Sequence, residues 1–242
     1  MSLPEFERSW VPLTAPERRV LGVLVEKAKT TPEYYPLTLA AIVTGCNQKS
    51  NRDPTTNYDA DDVEEYLTSL RKKGATVMVE AGGRVVRYKH TLYDWLKVNK
   101  VELAVVAELL LRGSQTEGDL RTRASRMEPL SDLAALGAVL DSLVAKDLVV
   151  YLSPPGVRRG VIVTHNLYSP NELERERARH ANATPAEEEP ARPAQPVAAR
   201  SDSPPAASPD ELAAVRAEVG ELREAVGQLS EEVRALKAAL GA

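Results

Sequence analysis

The chain has 242 residues, 43% hydrophobic and 27% charged, with a single cysteine, Cys46, and a single phenylalanine. That size allows one or two domains with real cores, and one cysteine excludes a disulfide framework or a thiol zinc site. The opening residues lack the apolar stretch of a signal peptide and no run approaches the roughly 20 apolar residues of a membrane span, so the expectation is a cytoplasmic chain with no membrane partner.

The net charge of −4 is unevenly distributed. Residues 1–181 hold 25 Lys and Arg against 24 Asp and Glu, and the acid excess lies after them. A strongly basic nucleic-acid binder is therefore excluded as an average, and local patches decide the matter.

In chain order, Thr14 and Glu17 box the start of a helix with Val20, Leu21, Leu24 and Val25 at helical spacing. A short helix follows from Leu37 to about Thr44. A third helix, from about Ala60 to Lys73, carries Val63, Tyr66, Leu67 and Leu70 on one stripe and stops at Gly74. Val77 and Val79, a turn at Gly82 and Gly83, then Val86 and Tyr88 read as a β-hairpin.

A second set repeats this order. Helices are expected at Val101 to Arg112, about Glu117 to Met127, and Asp132 to Lys146 with Ser131 as cap. A hairpin runs from Leu148 to Leu152, turns at Pro154, Pro155 and Gly156, and returns at Val161 to His165. The repetition extends to single residues. Leu67, Ser69, Leu70 and Lys73 recur as Leu140, Ser142, Leu143 and Lys146 at an offset of 73, and His90, Leu92 and Tyr93 recur as His165, Leu167 and Tyr168 at an offset of 75.

The fold class expected is mainly α with small β-hairpin wings, an α+β chain with tandem winged-helix domains at residues 1–98 and 99–168. A charged helix boxed by Ser169 and Glu172 spans 169–181. A Pro/Ala-rich linker at 182–209 has too little apolar surface to order and reads as disordered. From 210 to 242 a strict heptad places Leu212, Val219, Val226, Val233 and Leu240 at a and Val215, Leu222, Leu229 and Leu236 at d. That pattern favours a parallel two-stranded coiled coil, hence a homodimer, with Glu211–Arg216, Glu218–Arg223 and Glu232–Lys237 as attractive partner pairs. One amphipathic helix folded back on its own globular part is the alternative.

The stretches TTPEYYPL at Thr30 to Leu37, CNQKSNRDP at Cys46 to Pro54, LLLRG at Leu109 to Gly113, and Gln115, Thr116, Gly118, Leu120, Arg121, Arg123, Ala124, Arg126 and Met127 resemble the YceH-like family of bacterial proteins of unknown function. The similarity runs from about residue 11 to 168. It implies a tandem winged-helix fold and a short coiled-coil tail, and no established activity. Thr55 and Thr56 stand where that pattern usually has apolar residues.

No Gly-rich phosphate loop, catalytic triad order or metal spacing is present, so the expectation is a protein that is not an enzyme and uses no cofactor or metal. A winged helix usually lays its third helix in the DNA major groove. Here the first one opens with Asp59, Asp61, Asp62, Glu64 and Glu65, which phosphates repel and which the helix dipole explains without a ligand. The second exposes Ala134, Ala135, Gly137 and Ala138, with few donors for bases.

The candidate DNA-contacting residues are Asn47, Gln48, Lys49, Asn51 and Arg52 in the loop before the first third helix, Arg87 and Lys89 on one wing strand, Arg121, Arg123 and Arg126 around the second short helix, and Arg158 and Arg159 in the second wing. If they converge, nine cations meet the 6–10 phosphates of a typical DNA contact. The competing explanations are solvated charges paired with neighbouring acids and, for the Cys46 to Pro54 loop, self-bonded turns. Cys46 reads as a core residue. The function expected first is a dimeric, regulator-like protein that binds double-stranded DNA; the alternative is a protein-interaction module resembling the winged-helix subunits of chromosome-condensing complexes.

Overall fold

A computed structural model describes residues 10–80, 85–154, 156–157 and 160–181. Arg158, Arg159, the Gly82–Gly83 turn, the 182–209 linker and the dimerisation heptad from Leu212 to Leu240 lie outside the described residues.

The first half runs α1 (Ala15–Thr30), β1 (Leu37–Thr38), α2 (Leu39–Cys46), α3 (Ala60–Lys72), β2 (Thr76–Glu80) and β3 (Val86–His90). After a short connecting helix, α4 (Leu92–Leu96), the second half repeats it as α5 (Lys100–Arg112), β4 (Gln115–Thr116), α6 (Glu117–Ala124), α7 (Leu133–Ala145), β5 (Val149–Tyr151) and β6 (Ile162–His165), and α8 (Pro170–Ala181) follows. The chain is α+β, with two small antiparallel sheets ordered β1-β3-β2 and β4-β6-β5.

Each sheet has a third strand beyond the expected hairpin. Leu37 and Thr38 pair with Tyr88 and Arg87, and Gln115 and Thr116 pair with Val163 and Ile162. Two residues are too few to show alternation, and Thr38 and Thr116 double as the caps of α2 and α6. The first short helix therefore starts later than the apolar pattern suggests, and α6 ends at Ala124, which leaves Arg126 in the following loop. The cap of α7 is Asp132 rather than Ser131, because the Asp132 side chain accepts the Ala135 N–H at 2.8 Å.

Capping boxes open α1, α3 and α5. Two of them explain the residue-level repeat. Glu17, boxed with Thr14, accepts from Ser69 Oγ and Lys73 Nζ beside α3, each at 2.7 Å. Glu102, boxed with Asn99, accepts from Ser142 Oγ at 2.6 Å and Lys146 Nζ at 2.7 Å. Burial raises the proton affinity of both carboxyls, but the hydrogen bonds received from lysine, serine and the cap backbone outweigh it and leave each below its ordinary value. The repeated histidines also match: His90 Nδ1 accepts the Leu92 N–H at 3.3 Å and His165 Nδ1 accepts the Leu167 N–H at 3.2 Å.

The core runs through both halves. Residues Glu17–Glu26 of α1 and Glu102–Leu111 of α5 are buried without a break, so neither helix has a wide solvent-facing side over that stretch. These two helices pack against each other at Gly22, where a Cβ would lie 2.7 Å from Leu111 Cγ. The inward stripes of α3 (Val63, Leu67 and Leu70) and α7 (Leu136, Leu140 and Leu143) are fully or almost fully buried, each leucine contributing about 1.5–3 kcal/mol. Tyr168 stacks on His165 at 3.9 Å between ring centroids and carries Arg18 on its ring at 4.5 Å, while Arg18 bonds Glu172 of α8.

Candidate functional site

The Cys46 to Pro54 loop follows α2 and crosses the seam between the halves. Arg52, expected to face DNA, is 6% exposed. Its guanidinium forks onto the Glu26 carboxylate and donates to Gly45 O at 2.9 Å, Asn51 O at 2.8 Å and Gln48 Oε1 at 2.8 Å. No donor remains for a phosphate or a base, so its role is corrected to a buried structural cation.

Asn47 is likewise committed. Its Nδ2 donates to Tyr58 O at 2.7 Å, and its Oδ1 accepts the Tyr58 N–H at 2.9 Å and the Thr56 hydroxyl at 3.2 Å. Thr56, the polar departure from the family pattern, also donates to Cys46 O at 2.9 Å, which is what makes a hydroxyl acceptable there. Asn51 has a positive φ of 60° and its Oδ1 accepts from Arg112 Nη2 at 2.6 Å, while the Asp53 N–H donates to Leu111 O at 3.1 Å. This loop joins the two halves.

Beneath the loop, Glu108 of α5 is fully buried between two cations. Arg112 Nε stands 2.9 Å from its Oε1 without the alignment of a hydrogen bond, and Arg126 Nη2 lies 3.4 Å from Oε2. Burial pushes the Glu108 carboxyl up, and Arg112, Arg126 and Arg123 pull it back only in part. Cys46 is a core residue whose thiol burial pushes up to about 12, despite the nearby Arg19 and Arg52.

The remaining candidates separate. Gln48, Lys49, Asn51 and Arg126 come together with Lys27 around one open depression of about 530 Å³ that spans both halves. Arg87 donates to Pro36 O at 2.8 Å, whereas Lys89 is exposed on the same strand. Arg121 reaches Leu130 O at 3.4 Å, and Arg123 donates to Gln115 Oε1 at 2.7 Å and faces Asp119 at 3.6 Å. Of the ten candidates among the described residues, then, Lys49, Lys89 and the partly exposed Arg126 keep the most freedom. Lys27 escapes a reading of the sequence because a lysine in the last turn of α1 already satisfies the helix dipole there.

The exposed faces of the third helices differ in kind. On α3, Asp61, Glu64 and Glu65 face solvent ahead of Arg71 and Lys72. On α7, Leu133 is 53% and Val144 42% exposed, with Ala134 and Ala138 on the same helix and Tyr151, 39% exposed, on the neighbouring β5. Among the described residues, no group of three or more His, Cys, Asp or Glu side chains stands where it could hold a metal ion, and no helix is long and apolar enough to cross a membrane.

These features define a two-part α+β chain built on a repeated helix–strand–helix–helix–hairpin unit. The chain belongs to the family described as protein of unknown function DUF480, which matches residues 13–156, in agreement with the resemblance carried by the TTPEYYPL and CNQKSNRDP stretches. It is 54% identical over 161 residues to a UPF0502 protein of Rhodopirellula baltica, covering 66% of this chain and 67% of that one. It is also 50% identical over 145 residues to a UPF0502 protein of Geotalea daltonii (60% and 66% covered) and 48% over 166 residues to one of Geotalea uraniireducens (69% of each).

Proposed function

We propose that the two halves are winged-helix units in tandem and that the chain is a non-enzymatic cytoplasmic protein whose outer surface grips another protein. The observation that carries this reading is the outer face of α7, with Leu133 and Val144 more than two-fifths exposed on a helix that contains no Lys, Arg, Asn or Gln. A DNA reader carries its donors on that helix. Exposed aliphatic side chains, here with Asp141 exposed on the same helix, suit an apolar helix or strand of a partner instead. The acidic start of α3 adds to this, since a phosphate backbone repels it. The heptad from Leu212 to Leu240 would make the protein a homodimer and double the gripping surface.

A second reading, a dimeric DNA-binding regulator, is favoured by one observation: Lys27, Lys49 and Arg126 ring a single depression with Gln48 and Asn51. Anisotropy of a labelled mixed-sequence duplex at about 50 and 200 mM salt separates the two. The protein-binding reading expects no salt-dependent affinity, and expects Leu133→Asp with Val144→Asp to lose the protein that the wild type retains from bacterial extract while melting at the wild-type temperature. Salt-dependent DNA binding that Lys49→Glu with Arg126→Glu removes would overturn it in favour of the second reading.

A further inference from the structure

Arg19 is a buried cation of α1 that, among the described residues, has no carboxylate within ion-pair distance. It is 3% exposed; its Nη2 donates to Pro54 O at 2.6 Å, and its Nη1 is buried and donates to nothing. The other buried arginines are provided for: Arg52 by Glu26 and Arg18 by Glu172. An uncompensated guanidinium is costly to keep out of water. Burial and then the Arg52 charge lower the proton affinity of Arg19 by more than the neighbouring Cys46, Tyr58 and Asp53 raise it.

Arg19 lines a cleft of about 430 Å³ where α1, the 53–58 loop, the end of α5 and α8 meet. Arg18, Arg112 and Arg179 line it too, against the two carboxylates of Asp53 and Glu176. Arg18, Arg112 and Arg179 already stand within ion-pair distance of Glu172, Glu108 and Glu176, which leaves Arg19, with Asp53 in the same lining, as the guanidinium with an unused buried donor and no ion pair. The volume falls in the range of small-ligand sites, roughly 300–1,000 Å³. Guanidinium groups match phosphate oxygens in geometry as well as charge.

We propose that this cleft binds a small phosphate-bearing anion, held by Arg19 Nη1 inside and by Arg179 at its mouth. The anion touches both halves at once. It gives Arg19 Nη1 the acceptor it lacks and sits beside the loop between α2 and α3, whose Asp53 N–H is bonded to Leu111 O of α5.

Isothermal titration of the full chain with inorganic phosphate, glycerol 3-phosphate and citrate, each at matched ionic strength in sodium chloride, tests the site. The expected result is one phosphate or phosphate ester per chain, at least tenfold weaker in Arg19→Met, several-fold weaker in Arg179→Ala and unchanged in Lys49→Ala. Tighter binding of inorganic phosphate identifies the free ion as the ligand, and tighter binding of glycerol 3-phosphate identifies an ester. No heat with either phosphate compound, wild-type affinity in Arg19→Met, or a preference for citrate overturns the proposal. If Arg19→Met fails to fold, Arg179→Ala decides: its side chain is 72% exposed, so the fold tolerates the change, and undiminished phosphate affinity there overturns the proposal as well.

Discussion

Gly22 of α1 rests against Leu111 of α5 so closely that a methyl group on it would meet Leu111 Cγ at 2.7 Å and Cδ2 at 2.8 Å. The helices at the centre of the molecule approach as they do because one of them has no side chain at that point. Gly22→Ala should therefore destabilise the protein by about 1–3 kcal/mol, although alanine is the better helix former. Gly137 of α7 has nothing within 4 Å of its added methyl, and Gly137→Ala should stabilise by up to about 1 kcal/mol. Urea unfolding of both variants checks the pair, and equal effects would show that α1 and α5 can part at no cost.

The Arg52–Glu26 pair should behave as a buried ion pair does. Arg52→Met or Glu26→Leu alone leaves one charge stranded and should cost about 3–5 kcal/mol, whereas the double substitution should recover most of that loss. A double-mutant cycle by thermal or chemical denaturation measures the coupling. Additive single effects would mean that the two side chains do not meet in solution.

Acid should weaken the fold through its two matched histidines. Burial, with a smaller effect of the Lys29 charge, brings His90 down to about 4, and burial with the Arg18 charge holds the fully buried His165 well below its ordinary value. Both are bases whose folded-state affinity for a proton is depressed, so they favour the folded state fully above about pH 6.5 and progressively less as pH falls toward the folded value. For His90 the loss amounts to about 2–3 kcal/mol by pH 4. Protonation at Nδ1 also removes the acceptor of the Leu92 N–H. Stability measured from pH 7 to 4 should fall, and His90→Asn should flatten that slope; an unchanged slope would place the acid sensitivity elsewhere.

Much of this architecture can be read before any coordinates. Helical spacing in Val20 to Val25 and Val63 to Leu70, the capping boxes, and the recurrence of Ser69 and Lys73 as Ser142 and Lys146 give the helices and the duplication. The recurrence has a cause that local pattern could not supply: both pairs hold the boxed glutamate of a helix distant in sequence. Strands β1 and β4 escape because two residues carry no period. The candidate site is less legible. Asn47 and Arg52 look like donors for nucleic acid, yet their donors are used by Tyr58 O, Gly45 O and Glu26, contacts that only the packing of α1 and α2 creates. Arg126 and Lys27 lie 99 positions apart, and nothing in either local sequence tells that they share one depression.

The glutamate clamps and the seam differ in one respect. Glu17 and Glu102 each fasten a helix to the third helix of its own half, so that device was copied with the unit. Gly22 against Leu111, and Arg112 to Asn51, are contacts between the halves and involve residues outside the repeated set. A duplicated unit thus keeps its own internal latch while the joint between copies is made from residues particular to each. The two outer faces are accordingly free to diverge, one acidic and one aliphatic, without loosening the latch of either half.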